Sequence, residues 1–282
     1  STDNASYPPS ISGIQNGIIA YALNQMTWKA GSKKVALRVA GTSTKLSFTA
    51  KYTDTVKRVR IVFAPNGGRV SSGSKTVICG KTYGALPTPT RRGYTFAGWN
   101  TQPDGKGTFY EENAYVKNLT KKADEVVTLY AQWKAAQYQI TYNLNGGKNN
   151  KKNPKTYKIT SKTIKLSNPS KKGYVFKGWY CDKKCTKKVT SIKKGSTGKV
   201  TLYAKWAKEK YTITYKLNGG KNNKKNPKIY TITSKMIKLA APTRKGYVFK
   251  GWYRDKKCTR KVTSIKKGST GKITLYAKWK KK

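Results

Sequence analysis

The 282-residue chain contains no histidine and only 10 acidic residues, against 61 lysines and arginines. The absence of histidine excludes Ser-His-Asp and Cys-His arrangements and removes the commonest metal ligand. Its adjacent carboxylate pairs, Glu111-Glu112 and Asp124-Glu125, lie in a polar stretch and are expected to be solvated loop acids. No phosphate-binding glycine loop is present. We therefore expect no enzyme active site, no cofactor and no metal site.

Long apolar runs are also absent. No stretch of about 18 consecutive apolar residues occurs, so no membrane-spanning segment is predicted. The opening residues 1–4 lack the charged and then apolar pattern of a signal peptide, and we expect a mature or excised start. There are only 4 cysteines, and they are too dispersed to predict a zinc site.

The cysteine spacing leaves two alternatives for one pair. In a secreted protein, Cys181 and Cys185 either bridge across the three residues between them or stay reduced. In the third repeat, Arg254 occupies the position that corresponds to Cys181, so Cys258 has no local partner. The fold is therefore not expected to depend on the bridge, and Cys79 and Cys258 are expected to be buried or free thiols.

The positive charge is large and unevenly placed. Of the formal net charge of +51, residues 1–57 carry +5, residues 58–134 carry +7, residues 135–207 carry +17 and residues 208–282 carry +22. A field of one sign attracts polyanions. Because lysine far outnumbers arginine, diffuse electrostatics is favoured over bidentate recognition of one phosphate or carboxylate.

The dominant pattern is an internal repeat. Residues 138–206 recur at 211–279 with a constant offset of 73 residues and 57 of 69 positions identical. A diverged copy occupies about 58–133, with Asn66-Gly67-Gly68 and Gly98-Trp99 as landmarks. Such a period predicts an array of similar small units. We divide the chain into an N-terminal region at 1–57 and repeats at 58–134, 135–207 and 208–282.

The sequence of each of the two nearly identical repeats predicts several short strands. In the second repeat, alternating or apolar runs predict strands at 138–144, 157–160, 163–166, 174–180 and 200–206. Phe176 and Trp179 are three residues apart around Gly178, and a bulge at this glycine would let both rings face the core. Tyr203 and Tyr276 fall on the face of the closing strand opposite its leucine and tryptophan, where they are either exposed platforms for a sugar ring or base or ordinary solvated strand tyrosines.

Residues 1–57 belong to no repeat. Apolar residues from Ile11 to Met26 have helical spacing, and strand-like runs follow at 34–39 and 45–52. This region is either a small cap on the first repeat or the tail of a larger domain.

Three ordered motifs carry a family resemblance: a strand ending in Asn145-Gly146-Gly147, then the run 173–180 around Gly178-Trp179, then 202–206 ending in Trp206. The chain resembles the internalin B-type repeat, also called the Listeria–Bacteroides repeat, over residues 58–279. The resemblance implies a mainly β or α+β fold class, with three tandem β-grasp-like modules. It also implies a secreted or cell-surface protein of a Gram-positive-type bacterium, acting as a stalk or adhesive spacer, without catalytic residues.

The lysine-rich loops are the candidate binding sites, and asparagines and backbone amides in them are expected to add donors for phosphate or sulfate. One cluster follows the Asn-Gly-Gly turn and recurs in the third repeat: Lys148, Lys151, Lys152, Lys155, Lys221, Lys224, Lys225 and Lys228. The other follows the Gly-Trp strand and recurs likewise: Lys183, Lys184, Lys187, Lys188, Lys256, Lys257, Arg260 and Lys261.

The function expected from these features is a non-enzymatic cationic stalk or adhesion module in the cell wall or at the cell surface. Its expected partner is an anionic polymer, either wall teichoic acid or a host sulfated glycan. An alternative is the wall-anchoring tail of a secreted enzyme, with residues 1–57 as the end of its catalytic domain. Non-specific nucleic-acid binding also fits the charge, although no module with stacking aromatics on a suitable scaffold is recognised.

Overall fold

The computed structural model describes residues 31–38, 45–52 and 57–282. All regular structure in these residues is β-strand, with no helix, so the predicted mainly β class is confirmed. The finer β-grasp-like description stays a prediction. The helical spacing from Ile11 to Met26 lies outside the described residues.

Two strands precede the repeats. β1 (Gly31–Arg38) pairs antiparallel with β2 (Lys45–Tyr52). They correspond to the strand-like runs predicted at 34–39 and 45–52, except that Val39 is outside the described residues.

The chain divides into two compact units, Ser1–Lys134 and Ala135–Lys282. Each repeat builds one five-stranded sheet, and the second and third repeats each add a two-stranded sheet. The first repeat contains β3 (Arg58–Ala64), β4 (Ser74–Ile78), β5 (Tyr94–Asn100), β6 (Phe109–Tyr110) and β7 (Val126–Ala135). The second contains β8 (Gln137–Asn143), β9 (Thr156–Lys158), β10 (Ile164–Lys165), β11 (Tyr174–Tyr180), β12 (Lys188–Val189), β13 (Ser191–Ile192) and β14 (Val200–Lys208). The third contains β15 (Tyr211–Lys216), β16 (Ile229–Tyr230), β17 (Ile237–Lys238), β18 (Tyr247–Tyr253), β19 (Lys261–Val262), β20 (Ser264–Ile265) and β21 (Ile273–Lys281). The predicted domain boundaries themselves stay predictions.

The five-stranded sheets share one strand order. In the second repeat the order is β12-β11-β14-β8-β9. The first and last long strands, β8 and β14, are parallel neighbours, whereas the other pairs in this sheet are antiparallel. A parallel pair cannot be joined by a tight turn, so the rest of the repeat forms the connection between them. Each sheet is therefore completed only by the last strand of its repeat.

Two strands of the second repeat were not predicted. β12 and β13 lie between the strands predicted at 174–180 and 200–206, yet β12 extends the large sheet and β13 pairs with β10. Ile192 of β13 is buried in the core. A single apolar residue among lysines and serines gives no periodicity in the sequence, and the strand exists because its partner is close in space.

The predicted bulge at Gly178 is present. The register between β11 and β14 shifts between Phe176 and Gly178, and Gly178 has φ +127°. As a result, Phe176 and Trp179 both face the core and their rings meet edge to face with centroids 5.4 Å apart. Phe176 makes the same kind of contact with Trp206, also at 5.4 Å. The third repeat reproduces this cluster, and such edge-to-face contacts add to the stabilisation from burial.

The closing tryptophan packs on the Asn-Gly-Gly turn. Trp206 Nε1 donates a hydrogen bond to the Leu144 carbonyl over 2.9 Å. Its ring leaves no space for a side chain at Gly147, where a Cβ would lie 2.5 Å from Trp206 Cζ2. Asn145, at φ +46°, donates through Nδ2 to the Ala204 carbonyl on the neighbouring strand. The turn and the closing strand therefore hold each other in place.

Within the second unit, the second and third repeats contact each other at Gly173. A Cβ at Gly173 would lie 2.6 Å from the Ile232 Cβ of the third repeat. The Gly173 carbonyl also accepts a hydrogen bond from the Glu209 amide in the linker, over 3.0 Å. Only Glu209 and Lys210 lie between β14 and β15, and Glu209 is thus anchored to the second repeat.

Candidate functional site

The first lysine cluster lies on a loop whose shape is set by asparagines. In the second repeat, Asn153 is 7% exposed and its amide donates to Asn149 Oδ1 over 2.8 Å and to the Ser167 carbonyl over 2.9 Å. Its carbonyl oxygen accepts from the Ser167 amide over 2.7 Å. Asn150 Nδ2 donates to the Asn168 carbonyl, and Asn150 Oδ1 accepts a hydrogen bond from the Lys152 amide. The loop is therefore pinned to the chain segment ahead of β11.

The asparagine side chains of these loops fix the loop backbone. Their side chains in this loop form hydrogen bonds within the protein, and the third repeat repeats the pattern through Asn222, Asn223 and Asn226. Asn153 and Asn226 use both amide N–H groups in these bonds and have none left for a ligand, whereas donation from the other loop asparagines and the backbone amides stays a prediction. The bonded asparagines fix the backbone of the loop, and the exposed lysine side chains supply its positive charge.

The second lysine cluster lies on a turn organised by one aspartate. The Asp182 carboxylate accepts hydrogen bonds from the Thr186 hydroxyl over 2.7 Å and from the Lys187 amide over 2.7 Å. The bond from the Lys187 amide is the main cause that lowers the pKa of Asp182. Asp255 makes the same turn in the third repeat, and there the Thr259 hydroxyl is the main cause that lowers the pKa of Asp255 to about 2.

All sixteen predicted basic site residues are exposed. Each of the two asparagine loops carries four of these basic residues. Each aspartate turn, together with the edge strand that follows it, carries another four. The unit from Ala135 onward contains three acids. Two of them, Asp182 and Asp255, bind their own turns, while Glu209 accepts a hydrogen bond from the Tyr211 hydroxyl over 3.0 Å. The acids of this unit therefore serve local structure, and the lysine charge is left largely uncompensated.

An open pocket of about 620 Å³ lies between β15 and the asparagine loop of the third repeat. Tyr215 and Leu217 line its apolar part, and Asn222, Lys224 and Lys228 line its polar part. The Tyr215 hydroxyl donates to the Pro227 carbonyl over 2.8 Å, and burial raises the pKa of Tyr215 to about 12. The tyrosine is thus a neutral structural contact and not an acid or base at neutral pH.

The cysteines and acids show no assembled reactive site among the residues described. None of the four cysteines is paired in this structure, and the Cys181–Cys185 bridge stays a prediction. Within residues 57–282, no group of three or more cysteines or carboxylates is arranged to hold a metal ion. Glu112 accepts a hydrogen bond from Thr88, and Asp124 occupies a turn at φ +62°.

The structure also reveals a feature that the sequence reasoning only half recognised. Pairing across the outer face of the sheet places Lys188, Tyr180, Tyr203 and Asn143 in one row. The third repeat aligns Lys261, Tyr253, Tyr276 and Lys216 in the same way. Alternation had already placed Tyr203 and Tyr276 opposite the core. The neighbours Tyr180 and Tyr253 were not singled out, because their pairing with Tyr203 and Tyr276 depends on the cross-strand register, which local alternation does not give.

Comparison with known sequences identifies the class of these modules. The sequence profile of the Listeria-Bacteroides repeat domain matches the chain three times, at residues 60–132, 138–205 and 211–278. The chain therefore belongs to this repeat family, as the resemblance predicted. The family is one of surface- and membrane-associated repeat proteins, internalins among them.

Two curated relatives cover large parts of the chain. A protein of Evansella cellulosilytica provisionally named Gly-rich membrane protein is 36% identical over 192 residues, which are 68% of this chain and 21% of that protein. Internalin H of Listeria monocytogenes is 36% identical over 115 residues, which are 40% of this chain and 20% of that protein. The chain thus spans about a fifth of the length of either relative. Neither is named as an enzyme.

Among solved structures, the Bacillus anthracis TIE protein is similar with a TM-score of 0.32 and 10% identity, over 88% of this chain and 57% of that one. A similarity at this level supports no inference. In the described part of the chain, no helix has the length and apolar character needed to cross a bilayer.

Proposed function

We propose that this chain is a cationic stalk or adhesion module of a secreted or cell-surface bacterial protein. Its second and third repeats bind an anionic polymer, wall teichoic acid or a sulfated glycan, through the lysine loops. The observation that carries the proposal is the exposure of all sixteen basic residues on loops whose backbones are fixed by buried asparagines and by aspartates. A fixed backbone lowers the entropy cost of presenting several charges together.

Repetition strengthens the argument. The same two clusters occur in two successive repeats that contact each other at Gly173 and Ile232. A polymer that reaches both repeats gains affinity through effective concentration, since the second contact becomes intramolecular. The contacts are those of ammonium point charges, so binding is expected to weaken steeply with salt and to discriminate little among polymers of equal charge density.

The test compares two charge-matched variants of the full chain. One carries Lys151→Gln, Lys152→Gln, Lys224→Gln and Lys225→Gln on the asparagine loops. The control carries Lys162→Gln, Lys165→Gln, Lys235→Gln and Lys238→Gln, which are also exposed but lie outside both clusters. Binding to immobilised teichoic acid and to heparin is measured over a salt series.

The loop variant should bind about tenfold or more weakly than the control, with a shallower dependence of log affinity on log salt. Equal losses in both variants would show that total charge, and not the loops, determines binding. If the unmodified chain binds neither polymer near physiological salt, the binding role is wrong and a plain spacer remains.

A further inference from the structure

The outer face of each lysine-rich sheet carries two tyrosines side by side. Tyr180 on β11 and Tyr203 on β14 are direct cross-strand partners, and both are half-buried. Directly opposed side chains on one face of an antiparallel pair are close enough to touch. Tyr253 and Tyr276 form the same pair in the third repeat. Each pair lies on the side of the sheet away from the core.

Two lysines approach each tyrosine pair from different strands. Lys188 is the cross-strand partner of Tyr180, and its side chain passes over Gly178, where a Cβ would lie only 2.6 Å from Lys188 Cε. Lys205 comes from β14, and its Nζ lies 5.4 Å from the centroid of the Tyr180 ring. In the third repeat, Lys261 passes over Gly251 and Lys278 Nζ lies 5.5 Å from the Tyr253 ring.

Bringing two ammonium groups to one aromatic surface raises their mutual repulsion, and an anion bound between them would relieve it. The carboxylates of Asp182 and Asp255 are bound to their own turns and do not supply that anion. In the third repeat a further lysine, Lys216, stands beside Tyr276 at the other end of the row. The arrangement thus combines tyrosine rings with positive charge placed directly beside them.

The first repeat lacks this arrangement although it has the same sheet. Asn100 stands where the later repeats have the first tyrosine, and it is buried and bonded to the Gly105 carbonyl. Phe109 covers Gly98 in place of the lysine stem, and Gln132 replaces the lysine of the closing strand. The row is therefore not a requirement of the fold.

We propose that each of these rows binds one ring of an acidic glycan. The flat face of the sugar stacks on the second tyrosine of the pair, Tyr203 or Tyr276, and a sulfate or carboxylate on that ring is bound by Lys188 and Lys205, or by Lys261 and Lys278. Tyrosine suits this role because it offers a rigid amphipathic surface at low entropic cost, and charge-assisted hydrogen bonds fix the acidic group. The proposal rests on the proposed polyanion binding and names a ligand class and a site for it.

The placement of the ammonium groups favours a sugar over a nucleic-acid base. Lys205 Nζ lies over the Tyr180 ring and Lys278 Nζ over the Tyr253 ring, so an acidic substituent of a sugar stacked on the neighbouring Tyr203 or Tyr276 would meet an ammonium group directly. In a nucleotide the phosphate is separated from the stacked base by the ribose, and backbone-tracking charges along a groove are the usual arrangement. A single-stranded oligonucleotide therefore serves as a competing ligand in the test.

The decisive variant changes no charge. Tyr203→Thr and Tyr276→Thr are introduced together into the full chain, because threonine is a good strand residue and the tyrosines lie outside the core. Circular dichroism and thermal unfolding verify the fold. Calorimetry at fixed salt then measures binding to a sulfated heparin oligosaccharide, to a single-stranded oligonucleotide and to inorganic polyphosphate, which has no sugar ring.

Affinity for the oligosaccharide should fall about tenfold, the order expected for lost aromatic stacking, while affinity for polyphosphate stays the same. Lys205→Gln with Lys278→Gln should weaken oligosaccharide binding more than the charge-matched control Lys162→Gln with Lys235→Gln.

Three outcomes overturn the proposal in distinguishable ways. If the tyrosine variant binds both polymers like the unmodified chain, the rows are not a site, although the polyanion-binding function stands. If only oligonucleotide binding falls, the rows recognise bases. If the unmodified chain binds none of the ligands, the polyanion-binding function itself is wrong.

Discussion

At the scale of single residues, the second glycine of each Asn-Gly-Gly turn is required by the closing tryptophan. In the first repeat, a Cβ at Gly68 would lie 2.4 Å from Trp133 Cζ2 and 2.5 Å from the Thr90 carbonyl oxygen. The tryptophan cannot move away freely, because its Nε1 donates to the Pro65 carbonyl over 3.0 Å. The requirement is therefore one of space and not of backbone conformation.

Gly68→Ala should accordingly destabilise the first repeat by about 1–3 kcal/mol, the usual cost of overpacking. Gly73→Ala in the same repeat is the control, because no atom lies within 4 Å of its added Cβ. Denaturant unfolding followed by tryptophan fluorescence measures both. Equal stability of the two variants would contradict the steric argument.

At the scale of structural elements, the lysine-rich turns depend on ionised aspartates. The pKa of Asp255 is about 2 in the folded protein, below the ordinary 3.8, mainly because the Thr259 hydroxyl donates to the carboxylate. A lowered folded pKa means that ionisation stabilises the turn fully above pH 3.8 and that this contribution is lost as the pH falls toward 2. The turn should therefore loosen in strong acid.

Thr259→Val should raise the pKa of Asp255 toward 3.8, because it removes the main donor and leaves only the backbone donors. An NMR titration of the carboxyl carbon measures the pKa, and amide exchange at Thr259 and Arg260 reports the order of the turn. Thr263→Val, in the same repeat and exposed, serves as the control. An unchanged pKa in the Thr259 variant would show that the hydroxyl bond is not the cause.

At the scale of the whole molecule, what matters is how one repeat is attached to the next. Within the second unit, Ile232 of the third repeat packs on Gly173 of the second, while the equivalent Gly246 has no atom within 4 Å of an added Cβ. Both glycines have φ +78°, so an alanine would suffer the same backbone strain at either position. Any difference in stability between the two alanine variants is therefore due to the contact between the repeats.

Gly173→Ala should be more destabilising than Gly246→Ala and should reduce the cooperativity between the second and third repeats. In repeat arrays the stability is approximately the sum of module and interface terms, and weakening an interface separates the transitions. Differential scanning calorimetry of both full-length variants would measure this. Identical thermograms would indicate that the two repeats unfold independently of the contact.

Much of the fold could be predicted from the sequence alone. The 73-residue offset established the array, and alternation placed the long strands β8, β11 and β14 close to their true bounds. The positions of Phe176, Gly178 and Trp179 were enough to predict the bulge. These features depend on local spacing, which the sequence contains directly, and the family resemblance rested on the same residues.

What only the tertiary structure decided depends on pairing across long separations. Short strands such as β12 and β13 exist because a partner edge lies beside them, and no local pattern marks them. The asparagines looked like ligand donors in sequence, but folding brings Ser167 and Asn168 to them and uses their hydrogen bonds internally. The row of Lys188, Tyr180 and Tyr203 joins three strands, and its members are neighbours only because β12 and β14 pair with β11 in this register. Composition determined that this protein is strongly basic, whereas the register of the sheet decided which of its charges stand beside an aromatic surface.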